Sequence, residues 1–421
     1  MEQTQSLLTK KTKSGWLGSQ CRQFVFNLLN KMNDAYLEID EGSQATFVGN
    51  PNADLKGHIT IHDESVYRDL IKGGSIAAAE AYLDQRWSTP DLTALIRIFA
   101  RHQTQLDELE KKTSWIYSIK NAILSRINAN TINGFKKNIL AHYDLGNELY
   151  TRFLDEKMMY SCAIYKTNSD TLAEAQHNKL KSICDKLDLQ ASDHLVEIGT
   201  GWGGLAIFAA THYGCKVTTT TISDEQFAYA TQQVKRMGLE NQITLLKKDY
   251  RLLEGQYDKL VSIEMIEAVG HEYLPTFFKQ CNQLLKPTGK LLIQAITIAD
   301  QRYHQYRKNV DFIQKYIFPG GCLPSLNIIA EQVAKTTDMM IDNVEDIGLH
   351  YARTLVDWRS NFERNWSQIQ PFGYDDQFKR LWHYYFCYCE GAFIERVIST
   401  HHIVMRKPRN LNQYDETILA Y

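Results

Sequence analysis

The run HLVEIGTGWGG at residues 194–204 decides the fold. Leu195, Val196 and Ile198 mark a short buried strand. Gly199, Gly201, Gly203 and Gly204 follow at once, and a helical pattern then runs to Tyr213. Glycines at alternate positions between a strand and a helix let the backbone turn sharply and approach a ligand closely. A lone GxGxG carries little weight. This one closes the first strand of an α/β repeat, with Glu197 just before it, and that context strengthens it.

Outward from this point, β-branched runs alternate with helical stretches: KVTTTTI at 216–222, ITLLKKD at 243–249, KLVSIEM at 259–265 and KLLIQAITI at 290–298. The alternation predicts an α/β, Rossmann-like doubly wound sheet. An insertion (299–340), a strand near 340–347, helices and a final strand VISTHHIVM (397–405) follow, the last expected as an added antiparallel strand. Towards the N-terminus, residues 15–33 are helical in spacing, 36–62 read as short strands with turns, and 64–102 return to helix with interruptions at Gly73-Gly74 and Pro90. The expected organisation is a smaller N-terminal mixed α/β domain at 1–110, a helical linker at 111–137, a catalytic domain at 138–410 and a tail at 411–421. In the linker, Trp115, Ile116, Ile119 and Ile123 share one face, which reads either as a solvated connector or as an interfacial segment.

Composition excludes several classes. The 421 residues are 44% apolar and 23% charged with a net charge of -2, which gives no electrostatic footprint for nucleic acid. No apolar run reaches the ~18 residues of a spanning helix, and the N-terminus lacks the apolar core of a secretory signal, so a cytoplasmic protein is expected. The eight cysteines form no CxxC and point to no metal.

The glycine run is GxGxGG, and strand KVTTTTI leads into Thr221-Ile222-Ser223 with no acid at its tip. A dinucleotide site wants GxGxxG and such an acid, so the pattern favours S-adenosylmethionine. A sulfonium cation prefers aromatic faces, which gives Tyr160 and Trp202 a purpose beside the loop. The strand KLVSIEM carries Glu264 near its end and Glu267 follows just beyond it, two carboxylates at the edge where parallel sheets bind ligands, expected as a paired base.

HYDLGN (142–147), MMYSCA (158–163), EIGTGWGG (197–204), TISDEQ (221–226), EAVGHEY (267–273), FPGGCLPS (318–325) and HYARTLVDW (350–358) together resemble the signatures of the cyclopropane fatty acid synthase family, in its order and spacing, over roughly residues 50 to 407. The EMIEAV and LPS wording is more similar to plant-type and related bacterial members than to the mycolic-acid branch. The resemblance implies S-adenosylmethionine contacts at Tyr160, Ser161, Glu197, Gly199, Gly201, Trp202, Gly203, Thr221, Ile222, Ser223, Gln226, Asp249 and Tyr250. It also implies a bicarbonate ion held by Cys162, Glu267 and Tyr351. Where the family's commonest pattern has a histidine ligand in the fifth strand, this chain has Gln294, and Glu264 replaces a frequent glycine.

The activity so implied is methylene transfer to the cis double bond of an unsaturated phospholipid acyl chain, forming a cyclopropane ring. A carbocation forms, and its new methyl loses a proton to bicarbonate or to a carboxylate, with Glu267 the most sensitive side chain. Tyr303, Tyr306, Phe312, Tyr316 and Phe318 in the insertion are either cation-stabilising faces or core. The expected partners are the phospholipid and the inner face of a membrane, with room for a homodimer. A methyl-branched product and a non-catalytic lipid-binding protein stand as alternatives.

Overall fold

The computed structural model describes residues 16–42, 44–103 and 146–411. The linker reading at 111–137, the His142–Leu145 part of HYDLGN and the tail beyond Leu411 lie outside these residues. The described residues divide into two compact units, one holding those before 104 together with Asp376–Tyr384, the other holding the rest.

In the smaller unit, β1 (Tyr36–Asp40) pairs antiparallel with β2 (Ala45–Gly49) and parallel with β3 (Lys56–Ile61), and β4 (Trp87–Ser88) pairs antiparallel with β3. Leu37 and Ile39 point inward and are buried, the alternation of a one-faced sheet. The helix Ser65–Leu83 is broken at Gly74, whose φ of 53° and ψ of -140° end the helical hydrogen bonding where the sequence placed an interruption. Asp91 caps the helix Leu92–Arg101 by accepting the Ala94 amide at 2.9 Å. Asp376–Tyr384 joins this unit: the Arg380 Nε donates to the Leu83 carbonyl at 2.9 Å, and the Tyr384 ring lies 5.5 Å from that of Tyr82. Sequence reading assigned that segment to the catalytic domain, because a contact across almost three hundred residues leaves no local pattern.

The larger unit is a seven-stranded sheet in the order β10-β11-β9-β8-β5-β6-β7. Its strands are β5 (His194–Ile198), β6 (Lys216–Thr221), β7 (Ile243–Lys247), β8 (Tyr257–Ile263), β9 (Leu285–Ile298), β10 (Met340–Asp346) and β11 (Ile398–Arg406). The first five run parallel. The final strand does not add at the edge. β11 inserts antiparallel between β9 and β10, leaving β10 exposed along most of its length.

The chain steps from β5 to β6 on one side and from β5's other neighbour β8 onward on the opposite side. The C-terminal ends of β5 and β8 therefore flank the switch point at which open α/β sheets bind ligands. Both sequence motifs with chemistry emerge there: Gly199–Gly204 from β5 and Glu264–Glu267 from β8.

Candidate active site

The β5 loop is shaped by three left-handed glycines, with φ of 101° at Gly199, 52° at Gly201 and 92° at Gly203. A Cβ built on Gly201 meets nothing within 4 Å, so this backbone borders open space. Gly204 is required for a different reason. Its Cβ would fall 2.6 Å from the Lys157 carbonyl oxygen and 2.5 Å from the Met159 sulfur. The loop thus packs against the segment leading into MMYSCA while offering Gly201 to a ligand.

Beside it, Glu197 is buried on β5 and accepts the Thr219 hydroxyl at 2.5 Å; burial pushes its carboxyl up to about 8. Thr219 in turn pairs with Thr200 at 2.6 Å. After β6, Ser223 caps the helix Asp224–Arg236, its side chain accepting the Gln226 amide at 3.3 Å, and the Thr221 hydroxyl donates to Gln226 Oε1 at 2.9 Å. Ile222 packs on the core.

The MMYSCA segment is held by the helix Gly348–Arg364, which carries HYARTLVDW. Tyr351, Thr354 and Trp358 recur at helical spacing and turn one face to the segment. The Ala163 amide donates to Thr354 Oγ1 at 3.1 Å, and the Tyr160 and Trp358 rings lie 5.1 Å apart. Tyr160 sits in an aromatic cluster with Tyr150 at 5.4 Å, Phe153 at 5.9 Å and Phe318 at 6.4 Å, and its hydroxyl meets that of Tyr385 at 3.0 Å. Trp202 extends the cluster, 4.9 Å from Tyr150, with its indole N–H donating to Asn147 at 2.6 Å.

Glu264 is the centre of the polar constellation. Its Oε1 accepts the Cys162 amide at 2.9 Å and the Gln294 Nε2 at 2.7 Å, and its Oε2 accepts the Tyr351 hydroxyl at 2.6 Å. The Cys162 thiol points instead to the Ala163 and Ile347 carbonyls, and burial holds it protonated, well above the usual thiol range. Glu267 lies on the same segment. Its Oε1 accepts the Ile296 amide at 2.5 Å, and its Oε2 is buried without a partner. Desolvation first, and the charge of Glu264 second, push Glu267 up to about 8. Burial raises Glu264 as well, but three donors and the charge of Lys179 pull it down, so of the two carboxyls Glu264 is the better placed to hold negative charge and Glu267 the better placed to keep its proton.

Sequence reasoning missed Lys179 and His402. Lys179 is fully buried on the helix Leu172–Lys186, donates to Ser161 Oγ at 2.8 Å, and is lowered to about 8 by burial against the pull of Glu264 and Asp155. His402, buried on β11 opposite Gln294, meets Gln294 Oε1 at 2.9 Å. A lysine in a helix and a histidine in a strand read as ordinary residues until the fold brings them here.

The geometry describes a glycine cradle, an aromatic cluster and a buried carboxylate pair at one switch point. The same residues mark a known family. The model for mycolic acid cyclopropane synthetase matches residues 132–403. The cyclopropane-fatty-acyl-phospholipid synthase of Escherichia coli is 35% identical, over 85% of this chain and 89% of its own. The chain belongs to this family.

Another member, the tuberculostearic acid methyltransferase UfaA1 of Mycobacterium tuberculosis, is 36% identical over 78% of both chains. The crystal structure of mycolic acid cyclopropane synthase CmaA1 complexed with SAH and CTAB superposes with a TM-score of 0.61 at 28% identity, covering 65% of this chain and 98% of that one. Membership makes the chain an S-adenosylmethionine-dependent methyltransferase, and the cyclopropane synthase resemblance read from the motifs is borne out.

Within this synthetase fold the expected site residues fall into groups. Tyr160, Trp202 and the glycines gather around the loop; Cys162, Tyr351 and Gln294 converge on Glu264 after β8, and Glu267, on the same segment, turns to the Ile296 amide. Asp249 is engaged by Arg251, which donates to both its oxygens, at 2.9 and 2.6 Å. Tyr250 is core, packed edge-on against Phe277. Of the insertion aromatics named above, Phe318 reaches Tyr160, whereas the Tyr303 hydroxyl bonds His271 at 2.6 Å and Phe312 packs on Tyr316 and Tyr388. FPGGCLPS braces the carboxylate segment through the Cys322 amide, which donates to the Glu267 carbonyl at 2.7 Å.

Proposed function

We propose that this chain transfers a methylene group from S-adenosylmethionine to the cis double bond of an unsaturated phospholipid acyl chain, closing a cyclopropane ring. The observation that carries the reading is the placement of the Gly199–Gly203 cradle and the Tyr160 aromatic cluster at the sheet edge that also bears the Glu264–Glu267 pair. The open space at Gly201 fits the close backbone approach such a cofactor needs, and ring faces suit a sulfonium. When bound, S-adenosylmethionine supplies an electrophilic methyl group.

The chain's own residues do the rest. An alkene is a weak nucleophile, so water must be kept from the cation it becomes; Tyr150, Phe153, Phe318 and Trp358 around Tyr160 form the apolar wall for that purpose. Their π faces stabilise positive charge on the acyl chain. The carboxylate pair supplies a proton acceptor within the same buried setting.

Three of the positions that the resemblance assigns to bicarbonate, Cys162, Tyr351 and the fifth-strand Gln294, direct a donor at Glu264 instead, and Glu267 alone of the implied ligands keeps an oxygen without a partner. The Tyr351 hydroxyl and the Cys162 amide donate to Glu264, and the Gln294 Nε2 donates to Glu264 and to the Cys162 carbonyl.

Acyl substrates reside in bilayers, so we place the enzyme on the cytoplasmic face of a membrane. None of the described helices is long and apolar enough to cross one. The N-terminal region, read as residues 1–110, is the proposed lipid-associated part, supported by the exposed rings of Phe24 and Phe47. A methyl-branched product is the second reading, favoured by the likeness to a tuberculostearic acid methyltransferase. It follows if a hydride shift outruns proton removal. Transfer of a labelled methyl to unsaturated phospholipid vesicles, with the product chain identified, tests both.

A further inference from the structure

We propose that Glu264 is the proton acceptor of this reaction and that it takes the place of an exogenous bicarbonate ion, so that turnover needs none. The inference rests on the proposed function.

A carboxylate and a bicarbonate present the same planar, charged O–C–O edge. Three of the four positions that the family pattern assigns to the ion, all but Glu267, converge here on a side chain. The Cys162 amide and Gln294 Nε2 donate to Glu264 Oε1 at 2.9 and 2.7 Å, and the Tyr351 hydroxyl donates to Oε2 at 2.6 Å. Both positions that depart from the resemblance, Gln294 and Glu264, are therefore one compensated change. They bond each other.

The backbone accommodates this carboxylate at a cost. Glu264 has φ of 48°, in the left-handed region where side chains are uncommon and glycine is preferred. Such a conformation persists where the surroundings hold it for a purpose. It is pinned by the Glu264 amide, which donates to the Gln294 carbonyl at 2.7 Å.

A chain of donors sets the polarity of Gln294. Lys186 Nζ lies 2.6 Å from His402 Nδ1, and an ammonium only donates. Nδ1 is thus the acceptor, and the ring proton sits on Nε2, which donates to Gln294 Oε1 at 2.9 Å. The amide nitrogen of Gln294 is left to face Glu264. With the amide reversed, oxygen would oppose oxygen. His402 is accordingly a positioning residue, and Glu264 is the group that meets the reacting atoms.

The step balances without a further reactant. The π electron pair of the alkene bonds the methyl carbon of the sulfonium, which departs as a thioether, and the neighbouring carbon becomes cationic. A C–H bond of the new methyl breaks, its electron pair closes the third ring bond, and the proton passes to a Glu264 oxygen. That proton leaves to solvent before the next turnover.

The test uses the full chain, labelled S-adenosylmethionine and unsaturated phospholipid vesicles, in buffer freed of carbon dioxide and again with bicarbonate restored. The wild type should work at the same rate in both. Glu264→Gln keeps the shape but cannot take the proton, and should slow transfer about a hundredfold or more. Glu264→Gly suits the local φ and opens the space, so bicarbonate should restore part of its rate. A wild type that stops without bicarbonate and recovers with it overturns this inference and leaves the proposed function standing. Absence of methyl transfer under both conditions, with S-adenosylmethionine still bound, overturns the proposed function and this inference with it.

Discussion

Glu267 accepts the Ile296 amide at 2.5 Å through one oxygen, and its other oxygen is buried with no partner. A carboxyl so placed gains little from ionising, and it is pushed up from 4.5 to about 8 by desolvation and by Glu264. Between those values the folded protein keeps a proton that the unfolded chain has lost, so this group's contribution to stability falls as pH rises from about 4.5 to about 8. Glu267→Gln removes that slope. Urea midpoints measured across the window should show the variant gaining on the wild type as pH rises. Parallel curves would contradict the buried, protonated assignment. Lys179, lowered to about 8, acts oppositely and above this window, its contribution growing as pH rises from about 8 to 10.5.

Gly201→Val should abolish S-adenosylmethionine binding. The φ of 52° disfavours a β-branched residue, and its side chain would project into the open space that the cofactor is read to fill. Calorimetric titration of a variant with unchanged circular dichroism checks this. Undiminished affinity would remove the glycine loop from the binding site.

Tyr351→Phe takes one of three donors from Glu264 and leaves Lys179, Glu267, the Cys162 amide and Gln294 facing it. A hydrogen bond to a charged group contributes about 1.5–3 kcal/mol, so the Glu264 carboxyl should rise by roughly one to two pH units. The acid limb of the pH–rate profile for methyl transfer should move up by that amount, with the rate lower at neutral pH. An unmoved limb would mean that Glu264 is not the titrating base. His402→Leu, which frees the Gln294 amide to reverse, should shift the limb in the same direction.

What the sequence made legible follows from how local each signal is. The Gly199–Gly204 turn, the strands around it and the carboxylates of Glu264 and Glu267 are written in consecutive residues, and the fold places them as expected. Lys179 and His402 lie inside a regular helix and strand, and their polar roles arise only when distant elements close on Ser161 and Gln294. The placing of Asp376–Tyr384 with the N-terminal strands is likewise a tertiary event. Asp249 was expected at the cofactor, and its pairing with Arg251, two residues on, is a contact that the motif does not announce. The division of labour between the two glutamates needed donor counts that no motif contains.

Phe24 and Phe47 expose 43% and 53% of their surface. Replacing both with Ser should reduce co-sedimentation with phospholipid vesicles severalfold while S-adenosylmethionine affinity stays unchanged. Equal vesicle binding by the double variant would assign membrane contact to another surface.

Ring formation on an acyl double bond is directly measurable. The direct measurement incubates the full chain with methyl-labelled S-adenosylmethionine and vesicles of a cis-unsaturated phospholipid, then identifies the released fatty acid by mass spectrometry and proton NMR. The expected product is a chain heavier by one CH2, carrying the label, with the alkene signals replaced by those of a cis-cyclopropane ring. A labelled methyl-branched or olefinic chain would contradict ring closure, and an unlabelled, unchanged chain would contradict the methyl transfer itself.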